Sequence, residues 1–281
     1  MGDHWDQVVA QYQDALAAAV RDGDQAGQAR ALMLLAHARS RNLEYAASLA
    51  AAEQAVPLYL SLGDRVGHAN AVGWIGYLHS RTGDQVTARA ILRRAVTLFS
   101  GLGYQHGHSE ALINLCCAQF ITGDYPAAAA SARRALELSR RAGDCSGHVG
   151  ALVHLGTVQY LTGDYPAALA SHQEALNLNK ASGDRVRHGH ILCGLAAAQR
   201  MTGDPPGAAA TIGQALQQFR DIGRRTGRPV HSTSSASCKP RPGITRRPAK
   251  ATGWPCSCTP TSGKKHGLTL MHRSTSARRN P

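Results

Sequence analysis

Two hydrophobic periods are superimposed along this chain, one short and one long. Leu32, Val72, Leu112, Leu152 and Leu192 recur every 40 residues, and Leu35, Ile75, Leu115, Leu155 and Leu195 recur in the same phase three residues later. Within Ala151-Leu152-x-x-Leu155-Gly156-x-x-Gln159 the i, i+3, i+4 spacing marks one stripe of an α-helix. A second apolar set fills the other half of each period. It comprises Ala128, Ala168 and Ala208, then Ala55-Val56, Ala95-Val96, Ala135-Leu136, Ala175-Leu176 and Ala215-Leu216. Small residues at facing positions let two helices approach toward the short end of the usual ~8–10 Å interaxial range. Polar breakers separate the stripes. Thr82-Gly83-Asp84, Thr122-Gly123-Asp124, Thr162-Gly163-Asp164 and Thr202-Gly203-Asp204 form one series, and Gly23-Asp24, Gly63-Asp64, Gly103-Tyr104, Gly143-Asp144 and Gly183-Asp184 form the other. The glycine can end a helix in a left-handed conformation, and the aspartate can cap the next one. Pro126 and Pro166 fall in a first helical turn, where a missing N–H costs nothing. Each period therefore predicts helix, tight turn, helix, loop. No alternating β pattern is present. Self-similarity at this period means stacked units, an all-α solenoid of antiparallel helix pairs.

The motifs resemble the tetratricopeptide repeat. Leu152-x-x-Leu155-Gly156 is similar to that family's first-helix signature. Gly163-Asp164-Tyr165-Pro166-Ala167-Ala168, followed by Ala175-Leu176, is similar to its turn and second helix. The resemblance covers about residues 1–226 and implies a right-handed superhelix whose first helices line a concave face. The 40-residue period is longer than the family's common one and is similar to the longer repeats of kinesin light chains and some bacterial peptide-pheromone receptors. Gln119, Gln159 and Gln199 stand where the family often has an aromatic. The Gly-Asp-Tyr turn speaks against HEAT-like repeats of similar length.

Repeat phase divides the chain. Ala15-Leu16 aligns with Ala55-Val56, so residues 1–26 read as a lone second helix of an incomplete repeat. Five repeats follow at 27–66, 67–106, 107–146, 147–186 and 187–226. An array beginning half-way through a repeat leaves one apolar helix face uncovered, which predicts either a helix acting as its own cap or self-association through it. A second expectation is that the chain is a piece of a longer regulator. The run Gly2-Asp3-His4-Trp5-Asp6 ahead of tandem repeats is similar to the C-terminal arm of large bacterial NB-ARC-type transcriptional regulators. No G-x-x-x-x-G-K-[ST] motif is present, and Gly263-Lys264-Lys265 has neither the spacing nor the hydroxyl of one.

Charge changes the picture only after it is divided. The net +13 arises beyond residue 223, where 13 Lys or Arg occur with no Asp or Glu, leaving 18 basic and 18 acidic residues before it. Residues 227–281 also hold 7 of the 12 prolines, a composition that predicts disorder. Lys180 is the only lysine before residue 224, an arginine bias expected of a GC-rich gene. Back-translated with mostly G or C in third positions and read from each codon's third base, the tail can give an Ala-Leu pair, a Gly-Asp turn and a closing Leu-Gly. These fall forty residues after Ile191-Leu192, Gly203-Asp204 and Ile222-Gly223. We therefore read the tail as an out-of-register translation of a further repeat, and the gene's nucleotide sequence tests that reading. A basic arm binding nucleic acid or acidic membrane is the rival; with Trp254 as its only aromatic it lacks stacking residues, so no specific nucleic-acid or membrane partner is expected.

Catalytic and metal readings find little support. His68, His108, His148 and His188 share one repeat position and read as a duplicated surface residue, since equivalent residues form a ladder rather than converge within the ~2.0–2.1 Å of zinc ligands. His106-x-His108-x-Glu110 and His188-x-His190-x-x-Cys193 lack a helical i, i+4 histidine pair, and Cys256-x-Cys258 with Cys238 lies in the tail. Cys116-Cys117, Cys145 and Cys193 read as buried small apolar residues. No signal peptide or long apolar run occurs, so free thiols and a cytoplasmic location are expected, with no cofactor, metal or catalytic set.

The resemblance assigns ligand capture to Asn70, Tyr77, Glu110, Asn114, Phe120, His154, Thr157, Tyr160 and Arg200. Tyr77, Phe120 and Tyr160 would supply anchoring area, and Asn114 with His154 fixed polar contacts. A chaperone-type carboxylate clamp is not expected, because Met33, Gly73, Ile113, Val153 and Cys193 occupy its main lysine position. The expected function is a non-enzymatic protein- or peptide-binding scaffold. The alternative is a detached sensor arm of a signalling ATPase and transcription regulator.

Overall fold

In the computed structural model, residues 2–180 and 184–226 are described, with side chains at 5–180 and 184–223. The expectations for the basic tail, its cysteines and Trp254 lie outside the described residues. Eleven helices follow one another: α1 (Gly2–Arg21), α2 (Gln25–Arg41), α3 (Tyr45–Ser61), α4 (Arg65–Thr82), α5 (Gln85–Leu102), α6 (Gln105–Ile121), α7 (Tyr125–Arg141), α8 (Cys145–Leu161), α9 (Tyr165–Asn179), α10 (Arg185–Met201) and α11 (Pro205–Thr226). Each packs on the helix before and after it in an all-α solenoid.

The turns do what their residues dictate. Gly83, Gly123, Gly163 and Gly203 take φ values of 84–95°, the left-handed region open to a residue without Cβ. At Gly83 the chain reverses through two bonds, Asp84 N–H to His79 O at 3.0 Å and Gly83 N–H to Ser80 O at 3.3 Å. Asp84 Oδ1 then accepts from the Thr87 amide at 3.1 Å, satisfying one of the orphan donors of α5. Asp24, Asp64, Asp124, Asp144, Asp164, Asp184 and Asp204 cap their helices in the same way. The exceptions are Glu44 and Tyr104, which make no side-chain cap bond.

The core is a chain of small clusters, one per junction, rather than a single centre. Ala95, Phe99, Val72, Ala69 and Ala111 join α4, α5 and α6, and Leu112, Ala135, Leu138 and Ala151 join α6, α7 and α8. Fully burying a Leu or Phe contributes roughly 1.5–3 kcal/mol, so each junction is modest and the array depends on its neighbours. The Leu-Gly signature acquires its reason here. A Cβ on Gly76 would lie 2.7 Å from Leu92 Cγ, so glycine permits α4 and α5 to cross closely. The glutamines that stand in place of aromatics tie the pairs together: Ser131 Oγ donates to Gln119 Oε1 at 2.8 Å, and Ser171 Oγ to Gln159 Oε1 at 2.7 Å.

The even-numbered helices α4, α6, α8 and α10 touch one another successively, and no pair of consecutive odd-numbered helices does so to the same extent. Layers that converge on one side and splay on the other place the even helices on the inner, concave surface. No described helix is long and apolar enough to cross a membrane.

Candidate ligand-binding groove

The inner surface is built from helix positions one turn apart, repeated every 40 residues. Leu34, Trp74, Asn114, His154 and Gly194 form one row, and His37, Tyr77, Cys117, Thr157 and Ala197 the next, with Gly194 and Cys117 buried beneath their neighbours. Side chains in these rows bridge consecutive even helices. The rings of His37 on α2 and Trp74 on α4 are 3.9 Å apart, and that of His154 on α8 is 6.0 Å from the core ring of Phe120 on α6.

The expected groove residues fare differently. Asn70, Glu110 and Arg200 are exposed, and Tyr77, Asn114, His154, Thr157 and Tyr160 are half-buried. The Thr157 hydroxyl donates to the Val153 carbonyl of its own helix at 2.9 Å. Tyr160 packs edge-on against Tyr165 at the start of α9, with ring centroids 5.4 Å apart. Phe120 requires correction: it is only 3% exposed and sits among Cys116, Cys117, Leu155 and Val158. It belongs to the row of Ser40 and Ser80, which faces inward between helices, so an aromatic there is core and not an anchor.

The shared histidine position is corrected too. His68 and His108 are buried and His148 and His188 half-buried, so the position is not plain surface. It faces the following odd helix. Burial first, then Arg94 and Arg134, hold His68 and His108 below the usual histidine value, while His148 Nε2 lies 3.8 Å from Glu174. Cys116 and Cys117 are buried free thiols, with burial pushing Cys116 up to about 12, whereas the free thiol of Cys145 is exposed at the first residue of α8. Among the described residues, no three His, Cys, Asp or Glu side chains converge as metal ligands would.

Two features escaped the sequence reading. The first is an aromatic cluster at the N-terminal end of the groove. Trp74 lies between His37 and Tyr77, 4.8 Å from the latter, and its indole N–H donates to Ser48 Oγ at 3.3 Å. Beside it, Arg81 donates to the Tyr45 hydroxyl at 2.7 Å, and its guanidinium carbon lies 5.3 Å from the ring centre. Trp74 and His37 were missed because neither recurs in later repeats; groove side chains vary where the scaffold repeats. The second is His172 on α9, which occupies a core position equivalent to Leu92. It is 2% exposed, and added Cβ atoms on Gly156 and Gly194 would fall 2.9 and 2.5 Å from its ring. Burial chiefly, then His154, lowers its pKa to about 4, so it is neutral.

Charge is segregated in a way the neutral total conceals. Arg30, Arg39 and Arg41 lie on α2, Arg65 and Arg81 on α4, and Arg185, Arg187 and Arg200 on α10; the only acid on any even helix is Glu110. Eight of the thirteen aspartates are spent on caps in the turns. A cavity of about 300 Å³ lies elsewhere, between α1 and α3 against α2, lined by Leu16, Leu32, Leu35, Ala51 and neighbours, and has no charged cluster.

Residues 149–221 match the family model described as Tetratricopeptide repeat. No curated protein matches the sequence. Among solved structures, BtubC (BKLC) from P. vanneervenii superposes with a TM-score of 0.66 at 17% identity, covering 88% of this chain and 99% of that one. A Rap protein complexed with Competence and Sporulation Factor gives 0.62 at 15% identity, covering 84% and 68% respectively. A Signal Transduction ATPase with Numerous Domains protein with a tetratricopeptide repeat sensor, from Pyrococcus horikoshii, gives 0.62 at 17% identity, covering 80% of this chain and 34% of that one. At such identities the likeness concerns the fold, and this chain spans about a third of the last protein's length. Helix order, capped Gly-Asp turns and these neighbours agree on the fold: the array is an all-α solenoid of antiparallel helix pairs, similar to tetratricopeptide-repeat structures and matching that family's model over residues 149–221.

Proposed function

We propose that this chain is a non-enzymatic scaffold that captures a protein or peptide segment in its concave groove. The observation carrying the proposal is the row of non-repeating aromatic and polar side chains on the even helices. Trp74, Tyr77, Asn114 and His154 line the inner surface where the core positions beneath them are nearly invariant across repeats. A scaffold needs only its buried stripes, so the inner-face positions are free to carry the non-repeating aromatic and polar groups that a ligand surface needs. The Rap neighbour, solved with Competence and Sporulation Factor, supports the same use of such a fold.

Panning a random peptide library on the full chain, followed by titration of the selected peptides, tests this. Asn114→Ala and Trp74→Ala are expected to weaken binding about ten-fold each, as truncations of central contacts do, and Arg133→Ala on the outer helix α7 to leave it unchanged. Binding indifferent to both groove substitutions contradicts the proposal.

A second reading is favoured by one neighbour, the ATPase with a tetratricopeptide repeat sensor. In it, the array is the sensor arm of a signalling ATPase and transcription regulator. Sequencing the gene's upstream neighbourhood tests it: an adjoining frame encoding a P-loop domain supports a sensor arm, and its absence removes that reading while leaving the scaffold intact.

A further inference from the structure

The cavity of about 300 Å³ lies away from the groove, with α1 and α3 of the outer layer as its walls and α2 as its floor. Its volume is at the lower end of the roughly 300–1,000 Å³ range of small-molecule sites. We propose that it binds a small monocarboxylate with an apolar body, whose carboxylate is held by Arg39.

This junction departs from the later ones at three positions of the repeat. On α6 and α8, Gln119 and Gln159 accept hydrogen bonds from Ser131 and Ser171 across each helix pair. Arg39 and Ala51 stand at the equivalent positions of α2 and α3 and cannot make that bond. Arg39 Nη1 instead donates to the Ala47 carbonyl at 3.2 Å. The walls are low here as well. Ala51 corresponds to Ile91, Ser131, Ser171 and Thr211, and Ala17 on α1 to Pro57, Thr97, Glu137 and Asn177. The smallest side chain of each series faces the space above Leu16, Leu32 and Leu35.

The lining combines an apolar floor with one cation. The three leucines supply contact area, the exposed Gln13 and Gln54 supply amide donors at the rim, and no lining residue is acidic. Arg39 is half-buried, makes no ion pair among the described residues, and commits only one of its N–H groups, to Ala47. The remaining fork of donors matches a carboxylate, and partial burial makes such a charge-assisted bond stronger than one in water. A lone arginine balances one negative charge, so a phosphate dianion would carry uncompensated charge into an apolar site. A neutral alcohol would use the floor but not the cation, and acetate the cation but not the floor.

Isothermal titration and saturation-transfer NMR on the full chain test the site, with octanoate, 1-octanol, octylammonium and acetate as probes. Octanoate is expected to saturate a single site and to bind at least about ten-fold tighter than each of the others. Ala51→Ile installs the residue that the next repeat carries at this position. Arg39→Gln combined with Ala51→Ser restores the pair seen at Gln119 and Ser131. Each version is expected to lower octanoate affinity about ten-fold or more with circular dichroism unchanged, while Trp74→Ala in the groove leaves it unaltered. Acetate binding as well as octanoate would mark attraction to the basic tail, which all versions share, and overturns the proposal. Octanol binding equally well, affinity undiminished in both cavity versions, or no saturable binding overturns it too. Peptides selected by panning are expected to keep their affinity in Ala51→Ile, so the groove reading stands or falls separately.

Discussion

Histidine 172 illustrates how one residue couples local sequence to array stability. It fills a core position with an imidazole, and glycines at 156 and 194 leave the room it needs. Its folded pKa of about 4 lies below the unfolded value of 6.5, so the unfolded chain takes up the proton first. Stability from this group is therefore present above about pH 6.5 and lost as pH falls toward 4. A depression of this size corresponds to a loss on the order of 3 kcal/mol across that window. His68 and His108 are also lowered, chiefly by burial, and add in the same direction. Urea melts of wild type and His172→Leu at pH 7.5 and pH 5 check this: the variant is expected to lose distinctly less on acidification. Equal losses would remove His172 from the account. Gly156→Ala pushes a methyl group into the imidazole and is expected to cost about 1–3 kcal/mol by overpacking. The sequence could not reveal His172, because a lone histidine in an alanine-rich helix has no periodic signal. Phe120 failed for the opposite reason: its row is core in some repeats and partly open in others, and only packing distinguishes them.

At the scale of the element, the turns were the most legible part of the chain. Asp after Gly predicts a cap, and the side-chain bonds are present at 2.8–3.4 Å. The instructive exception is the turn between α2 and α3, where Asn42-Leu43-Glu44 replaces Thr-Gly-Asp. Leu43 is forced to φ 67°, the one described non-glycine residue at positive φ, and Glu44 makes no side-chain cap bond. A left-handed conformation costs an L-residue roughly 1–2 kcal/mol. Leu43→Gly is therefore expected to raise the unfolding free energy by about 1 kcal/mol, read from the urea midpoint at constant m-value. A destabilised variant would contradict the turn assignment. Conversely, Asp144→Ala removes both the Gly147 cap and the 2.7 Å contact with His106 Nδ1, which links α6 to the start of α8. It is expected to cost about 0.5–2 kcal/mol.

For the whole molecule, 40-residue phase was enough to give the order of helices, their pairing and the stacking of pairs, since each follows from buried stripes that repeat. The distribution of function was much less legible. Net charge suggested a neutral array, and only the placement of helices showed that, among the even helices, Glu110 is the single acid, while eight aspartates cap turns. Trp74 and His37 emerged only when α2 and α4 were seen side by side. A scaffold repeats because every layer solves the same packing problem, whereas a ligand surface need not repeat, so periodicity is silent about it. The central claim is that the concave face, not the outer helices, takes the ligand. Hydrogen–deuterium exchange of the full chain, with and without a peptide selected by panning, tests it most directly. Protection gathered on α2, α4 and α6, with α5 and α7 unchanged, is the predicted result; protection confined to odd-numbered helices or to residues beyond 226 would contradict it.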